Sequence, residues 1–76
     1  MKIVVIGGGG TYTPELIKGL IARSPILNLH EVWLVDPDEE RLRIVGSFAQ
    51  RMVSHANAGF RVELTADRQL ALEDAE

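Results

Sequence analysis

At 76 residues, with 46% hydrophobic and 25% charged side chains, the chain has a globular composition but only enough length for one small domain or a piece of a larger one. Eleven acidic against eight basic residues leave a formal net charge of −3, which argues against nucleic acid as a partner. The lack of cysteine excludes disulfides and thiolate metal sites within the chain. No apolar run reaches the length of a signal-peptide core or a membrane span, so no membrane partner is expected and a cytoplasmic setting is the default.

Met1 stands directly ahead of the first predicted strand and reads as a native start. That strand covers Lys2–Ile6, apolar after the lysine, and breaks on four consecutive glycines, Gly7 to Gly10. A helix follows, with Thr13 as its expected N-cap and Pro14 in its first position. Leu16, Ile17, Leu20 and Ile21 form its buried stripe, and Ser24-Pro25 is expected to end it, because the residue before proline is pushed out of the helical region. The second strand is Glu31–Val35. Asp38 is the expected N-cap of the second helix, whose stripe is Leu42, Val45, Ala49, Met52 and Val53 and which fades at Asn57.

The third strand, about 60–65, alternates polar and apolar residues as a half-exposed edge does, whereas the first two read as buried on both faces, with Trp33 in the core. A short helical turn over 67–72 completes the pattern. Helices between successive strands imply parallel pairing with right-handed crossovers and the spatial order three-two-one. The fold expected is α/β: βαβαβ, the first half of a Rossmann domain, residues 1–76, ending before a fourth strand.

The chemistry gathers at the first turn. A strand that breaks on glycines and re-enters as a helix aims backbone N–H groups and a positive helix end at one spot, which suits a pyrophosphate. Gly7 would make the tight turn and Gly9 would admit the pyrophosphate, with Gly8 and Gly10 beside them; Thr11, Tyr12 and Thr13 offer side-chain hydrogen bonds. The third glycine of the usual dinucleotide fingerprint is replaced by Tyr12, and the P-loop alternative fails for want of Gly-Lys-Ser/Thr. The bland reading is a purely structural glycine turn.

Asp36 closes the second strand where the fingerprint places an acid for the adenosine ribose. Its carboxylate would accept both ribose hydroxyls and repel a 2′-phosphate. Arg41 and Arg43 nearby would favour NADP, but they follow the acidic start Asp38-Glu39-Glu40, so NAD is the expected cofactor. The bland reading of Asp36 is a cap for the second helix. His30 reads as a solvated loop residue and His55 as a partner of helix carbonyls; neither has a second ligand at metal spacing.

The string Ile6-Gly7-Gly8-Gly9-Gly10-Thr11-Tyr12-Thr13-Pro14-Glu15-Leu16-Ile17, then Glu31-Val32-Trp33-Leu34-Val35-Asp36, then Arg51-Met52-Val53, resembles the N-terminus of family 4 glycoside hydrolases, most closely the 6-phospho-β-glucosidase branch. Gly10, where serine is usual, is a departure, while Tyr12 in the third glycine position is the family's own habit. The resemblance implies NAD, a divalent metal such as manganese, and a phosphorylated disaccharide or other 6-phospho-β-glucoside as substrate, within a homo-oligomer. It also implies a mechanism in which NAD⁺ oxidises the sugar C3 hydroxyl, the C2 proton is removed and the aglycone leaves by elimination. By the same resemblance the catalytic base, metal ligands and sugar-phosphate contacts lie beyond residue 76, so the chain alone is expected to be inactive. The alternatives are a non-catalytic nucleotide-binding module, a fragment of an NAD-dependent dehydrogenase, and a half-Rossmann unit made for folding studies.

Overall fold

The computed structural model describes residues 1–73 and holds three parallel strands, β1 (Lys2–Ile6), β2 (Glu31–Val35) and β3 (Arg61–Thr65), in the order β1-β2-β3. They are joined by α1 (Thr13–Leu27) and α2 (Glu39–His55), and α3 (Arg68–Leu72) follows β3. The register pairs Lys2 with Glu31 and Arg61, and Ile6 with Val35 and Thr65, so the three strand ends finish level. The βαβαβ expectation and its order are therefore met.

Period-two alternation sorts the strand side chains. Ile3, Val5, Val32, Leu34, Val62 and Leu64 face one way and join Ile17, Leu42, Ala49 and Val53 from α1 and α2 in a single core. Gly46 lets α2 approach β3 closely, since a Cβ there would stand 2.7 Å from Leu64 Cδ1. α3 packs on the other face, where it touches all three strands and buries Ala71 completely. Among the described residues no helix is long and apolar enough to cross a membrane.

Three local expectations are corrected. α1 does not stop at Ser24-Pro25 but runs through Pro25 to Leu27. Pro25 has no N–H for the carbonyl four residues back, and the Ser24 hydroxyl donates to that Ile21 carbonyl instead, at 3.2 Å. The helix ends where Asn28 turns left-handed, at φ 54°, and donates its N–H to the Ser24 carbonyl. At the other end Tyr12, not Thr13, is the N-cap, and it makes no side-chain capping bond. Finally, β1 is not buried on both faces. Lys2 to Val5 are only half-buried and Ile6 is 51% exposed, and among the described residues β1 pairs with β2 alone.

Asp38 caps α2 as expected, its Oδ1 accepting from the Arg41 N–H at 3.1 Å, and Asp67 caps α3 through Gln69 and Leu70. Trp33 lies outside the main core, on the α3 face, and is half-buried there. Its indole N–H donates to Glu31 Oε1 at 2.7 Å, and Lys2 Nζ sits 4.7 Å from its ring centre. Arg61 reaches Glu31 at 2.8 Å and Glu63 at 3.2 Å, which makes a charged ladder across the N-terminal ends of the strands. The Trp33 hydrogen bond is the largest influence on Glu31 and holds its carboxyl below the ordinary 4.5; partial desolvation raises it, and Arg61 and Lys2 lower it further.

Candidate nucleotide site at the glycine turn

At the C-terminal ends of the strands, the chain between β1 and α1 folds back onto β2. Gly7 and Gly8 both donate to the Val35 carbonyl, at 2.7 and 2.9 Å, which pins the turn to the end of β2. Gly7 takes φ +83°, a left-handed conformation that favours glycine. At Gly8 a Cβ would lie 2.6 Å from Leu34 Cβ and 2.8 Å from Leu34 Cα, so only glycine lets the two backbones meet.

Gly9 donates its N–H to Asp36 Oδ2 at 3.0 Å, a buried contact. A Cβ on Gly9 would face Asp36 Oδ2 at 2.8 Å, Leu42 N at 3.2 Å and Arg41 Cβ at 3.3 Å. Gly9, Asp36 and the first turn of α2 thus converge, and the exposed Arg41 stands at their rim. Asp36 is only 9% exposed, and its other oxygen accepts the Asp38 N–H at 3.0 Å. Each carboxylate oxygen keeps a lone pair beyond the one these bonds use. Asp36 is thus not the cap of α2, which is Asp38; it holds the entry to that helix through the Asp38 amide and stands as an acid beside the glycine turn.

The expectation that the glycine N–H groups aim at a phosphate needs correction. All four glycines donate inside the protein, Gly10 to the Gly7 carbonyl at 3.0 Å. At the positive end of α1 the backbone N–H groups of Thr11, Tyr12 and Glu15 have no partner among the described residues, and Thr11 and Tyr12 lie in the turn itself. The glycines let the turn lie close against β2 and α2, and the free donors stand at the helix start. Thr13 is fully buried and its hydroxyl donates to the Gly8 carbonyl at 2.9 Å, so it braces the turn from below and faces no ligand. Thr11 is exposed at the turn's outer surface.

Two features of the site were not foreseen. The Val35 carbonyl holds two turn amides, and a backbone acceptor leaves no mark in a sequence. The Tyr12 hydroxyl reaches the Ile6 and Gly7 carbonyls at 3.3 and 3.2 Å, and its place in the third glycine position was the available signal. His30 is exposed at the opposite end of the sheet, with Nδ1 3.0 Å from the N-terminal ammonium; His55 is exposed near the end of α2. Among the described residues no three His, Asp or Glu side chains cluster at metal-binding distance.

The sequence profile described as Family 4 glycosyl hydrolase matches residues 2–76. The chain belongs to glycosyl hydrolase family 4. It is similar to a probable 6-phospho-beta-glucosidase from Bacillus subtilis, 53% identical across the whole of this chain and 18% of that protein. A 6-phospho-beta-glucosidase from Escherichia coli is 42% identical over the whole of this chain and 17% of that protein. The 6-phospho-beta glucosidase from Thermotoga maritima, solved with NAD and glucose-6-phosphate, superposes with a TM-score of 0.88 at 43% identity, over 99% of this chain and 18% of that one. A further crystal structure of the same enzyme contains manganese as well as NAD⁺ and glucose-6-phosphate. The family 4 chain described here thus spans less than a fifth of the length of these relatives.

Proposed function

We propose that residues 1–76 form one partial dinucleotide-binding domain, the NAD-binding segment of a 6-phospho-β-glucosidase. The observation that carries the reading is the Asp36 carboxylate, buried at the end of β2 and 3.0 Å from the Gly9 amide, inside a sequence 42–53% identical to enzymes of that name. The pyrophosphate lies over Gly9 and Gly10 and accepts from the Thr11 and Tyr12 amides, where the α1 dipole favours it. Asp36 accepts the ribose hydroxyls with its remaining lone pairs and repels a 2′-phosphate, so NAD is preferred to NADP. Arg41 screens the acids at the rim. When bound, NAD supplies reversible hydride removal and return at the sugar, the chemistry that sets this family apart from two-carboxylate glycosidases.

In this reading manganese and the 6-phospho-β-glucoside, a phosphorylated disaccharide included, are held by residues other than 1–73. The family resemblance supports assembly into a homo-oligomer, and a phosphorylated substrate supports a cytoplasmic setting. The test is a hybrid in which this chain replaces the matching segment of the Bacillus subtilis relative. NAD⁺- and Mn²⁺-dependent release of a chromogenic aglycone from its 6-phospho-β-glucoside is expected. A folded hybrid that binds the sugar phosphate but not NAD⁺ overturns the reading.

A further inference from the structure

The glycine turn is held from two sides. Asp36 grips the Gly9 amide from the β2 side, and Tyr12 closes the turn from the α1 side, its single hydroxyl proton shared between the Ile6 and Gly7 carbonyls at 3.3 and 3.2 Å. The phenol can reach those carbonyls because Gly10 has no side chain. A Cβ at Gly10 would stand 2.7 Å from Tyr12 Cε1, 3.0 Å from Tyr12 Cδ1 and 3.3 Å from the Gly7 carbonyl oxygen. Real Cβ atoms do not sit that close to a ring, so a side chain at this position requires the Tyr12 ring or the turn beneath it to shift.

We propose that Gly10 and Tyr12 act as one positioning unit: the bare Gly10 seats the Tyr12 ring, and the Tyr12 hydroxyl presets the turn that receives the pyrophosphate. The proposal rests on the NAD reading above and goes beyond it, because it assigns the tyrosine side chain a part in cofactor affinity without contact to the cofactor. Three features agree with it. Tyr12 is 52% exposed, so its ring is not kept for core packing. Its hydroxyl bonds are to the turn rather than to the helix it caps. Its own backbone N–H is one of the three donors left at the helix start, so a shift of the ring and its Cα moves a phosphate donor as well. Presetting a loop raises affinity by sparing the ordering that binding otherwise demands.

The unit predicts a pattern rather than a mere loss. Backbone amide shifts of Gly7 to Gly10, followed by NMR while NAD⁺, ADP or adenosine is added to the chain, report each affinity. Tyr12→Phe keeps the ring and removes only the hydroxyl, and is expected to weaken NAD⁺ and ADP by about three- to tenfold while leaving adenosine unchanged. Gly10→Ala is expected to do the same, and the double variant to be no weaker than either single one, since both break one arrangement. Additive losses, an equal loss for adenosine, or Tyr12→Phe binding NAD⁺ and ADP as the wild type does each overturn the proposal. Tyr12→Phe decides alone should Gly10→Ala fail to fold. A wild-type chain whose turn amides ignore NAD⁺ and ADP alike overturns the nucleotide reading instead, and the positioning unit with it.

Discussion

Replacing Asp36 separates its bracing of the turn from the ribose contact proposed for it. In Asp36→Ala the Gly9 amide, buried and 3.0 Å from Oδ2, loses its acceptor, and the Asp38 amide loses Oδ1. A buried donor left unpaired costs about 1–3 kcal/mol, so the turn loosens and the domain is destabilised by that order. Loss of a ribose contact to a charged group adds a further 1.5–3 kcal/mol or so against the cofactor, or about 10- to 100-fold in affinity for NAD⁺. Asp36→Asn keeps the shape and one oxygen but turns an NH₂ towards one of the two amides, so it retains about half the bracing and none of the charge. Calorimetry on the hybrid enzyme with NAD⁺ and NADP⁺ distinguishes these effects. NAD⁺ affinity is expected to fall in the order wild type, Asn, Ala, while discrimination against NADP⁺ relaxes equally in both variants because it depends on charge alone. Unchanged NAD⁺ affinity in Asp36→Ala, or full discrimination retained in Asp36→Asn, refutes the assignment.

Other outcomes follow from the packing and the charges. Gly8→Ala brings a Cβ to 2.8 Å from the Leu34 backbone, which cannot yield, whereas Gly46→Ala meets the Leu64 side chain, which can turn aside. Thermal melts should therefore show Gly8→Ala costing more than the typical 1–3 kcal/mol or so of overpacking and Gly46→Ala less. Asn28 sits at φ 54°, so Asn28→Ala is expected to lose about 1 kcal/mol in urea unfolding and Asn28→Gly to lose little or nothing. Glu31 has a carboxyl held below its ordinary 4.5, so its ion pair and indole bond stabilise the fold above that value and are lost as the pH falls through the lowered one. Glu31→Gln should unfold at lower urea than the wild type at neutral pH, show a shallower pH dependence in the acid range, and converge with it at the acid end.

Much of this was legible because backbone and side-chain signals agreed. Apolar runs of strand length, separated by amphipathic helices, left one sensible topology, and the Asp38 cap with its acidic first turn marked the start of α2. Two misreadings arose where a hydroxyl found a carbonyl a few residues back, and a third where strand alternation set the face. Pro25 looked like a helix end, but the Ser24 hydroxyl served the carbonyl that proline leaves bare. Thr13 looked like a cap, but its hydroxyl was claimed by Gly8 once the turn folded under the helix. Trp33 looked like core, yet alternation along β2 set it on the opposite face from Val32 and Leu34, beside Lys2 and Glu31. At the site, the residue types pointed to one corner of the sheet, and the structure brings Gly9, Asp36 and Arg41 together there. Which amides remain free for a phosphate depends on hydrogen bonds between the turn and β2, and no residue identity reveals those.

The most direct test of the account is the footprint of NAD⁺ on the chain's own amides. Titration followed by NMR is expected to move Gly9, Gly10, Thr11, Tyr12 and Asp36, with the largest changes at Thr11 and Tyr12, whose N–H groups are free to meet the pyrophosphate. His30, Glu31 and Arg61, at the far end of the strands, should stay still. Shifts centred on that far end, or a turn that remains unmoved at saturating NAD⁺, would contradict it.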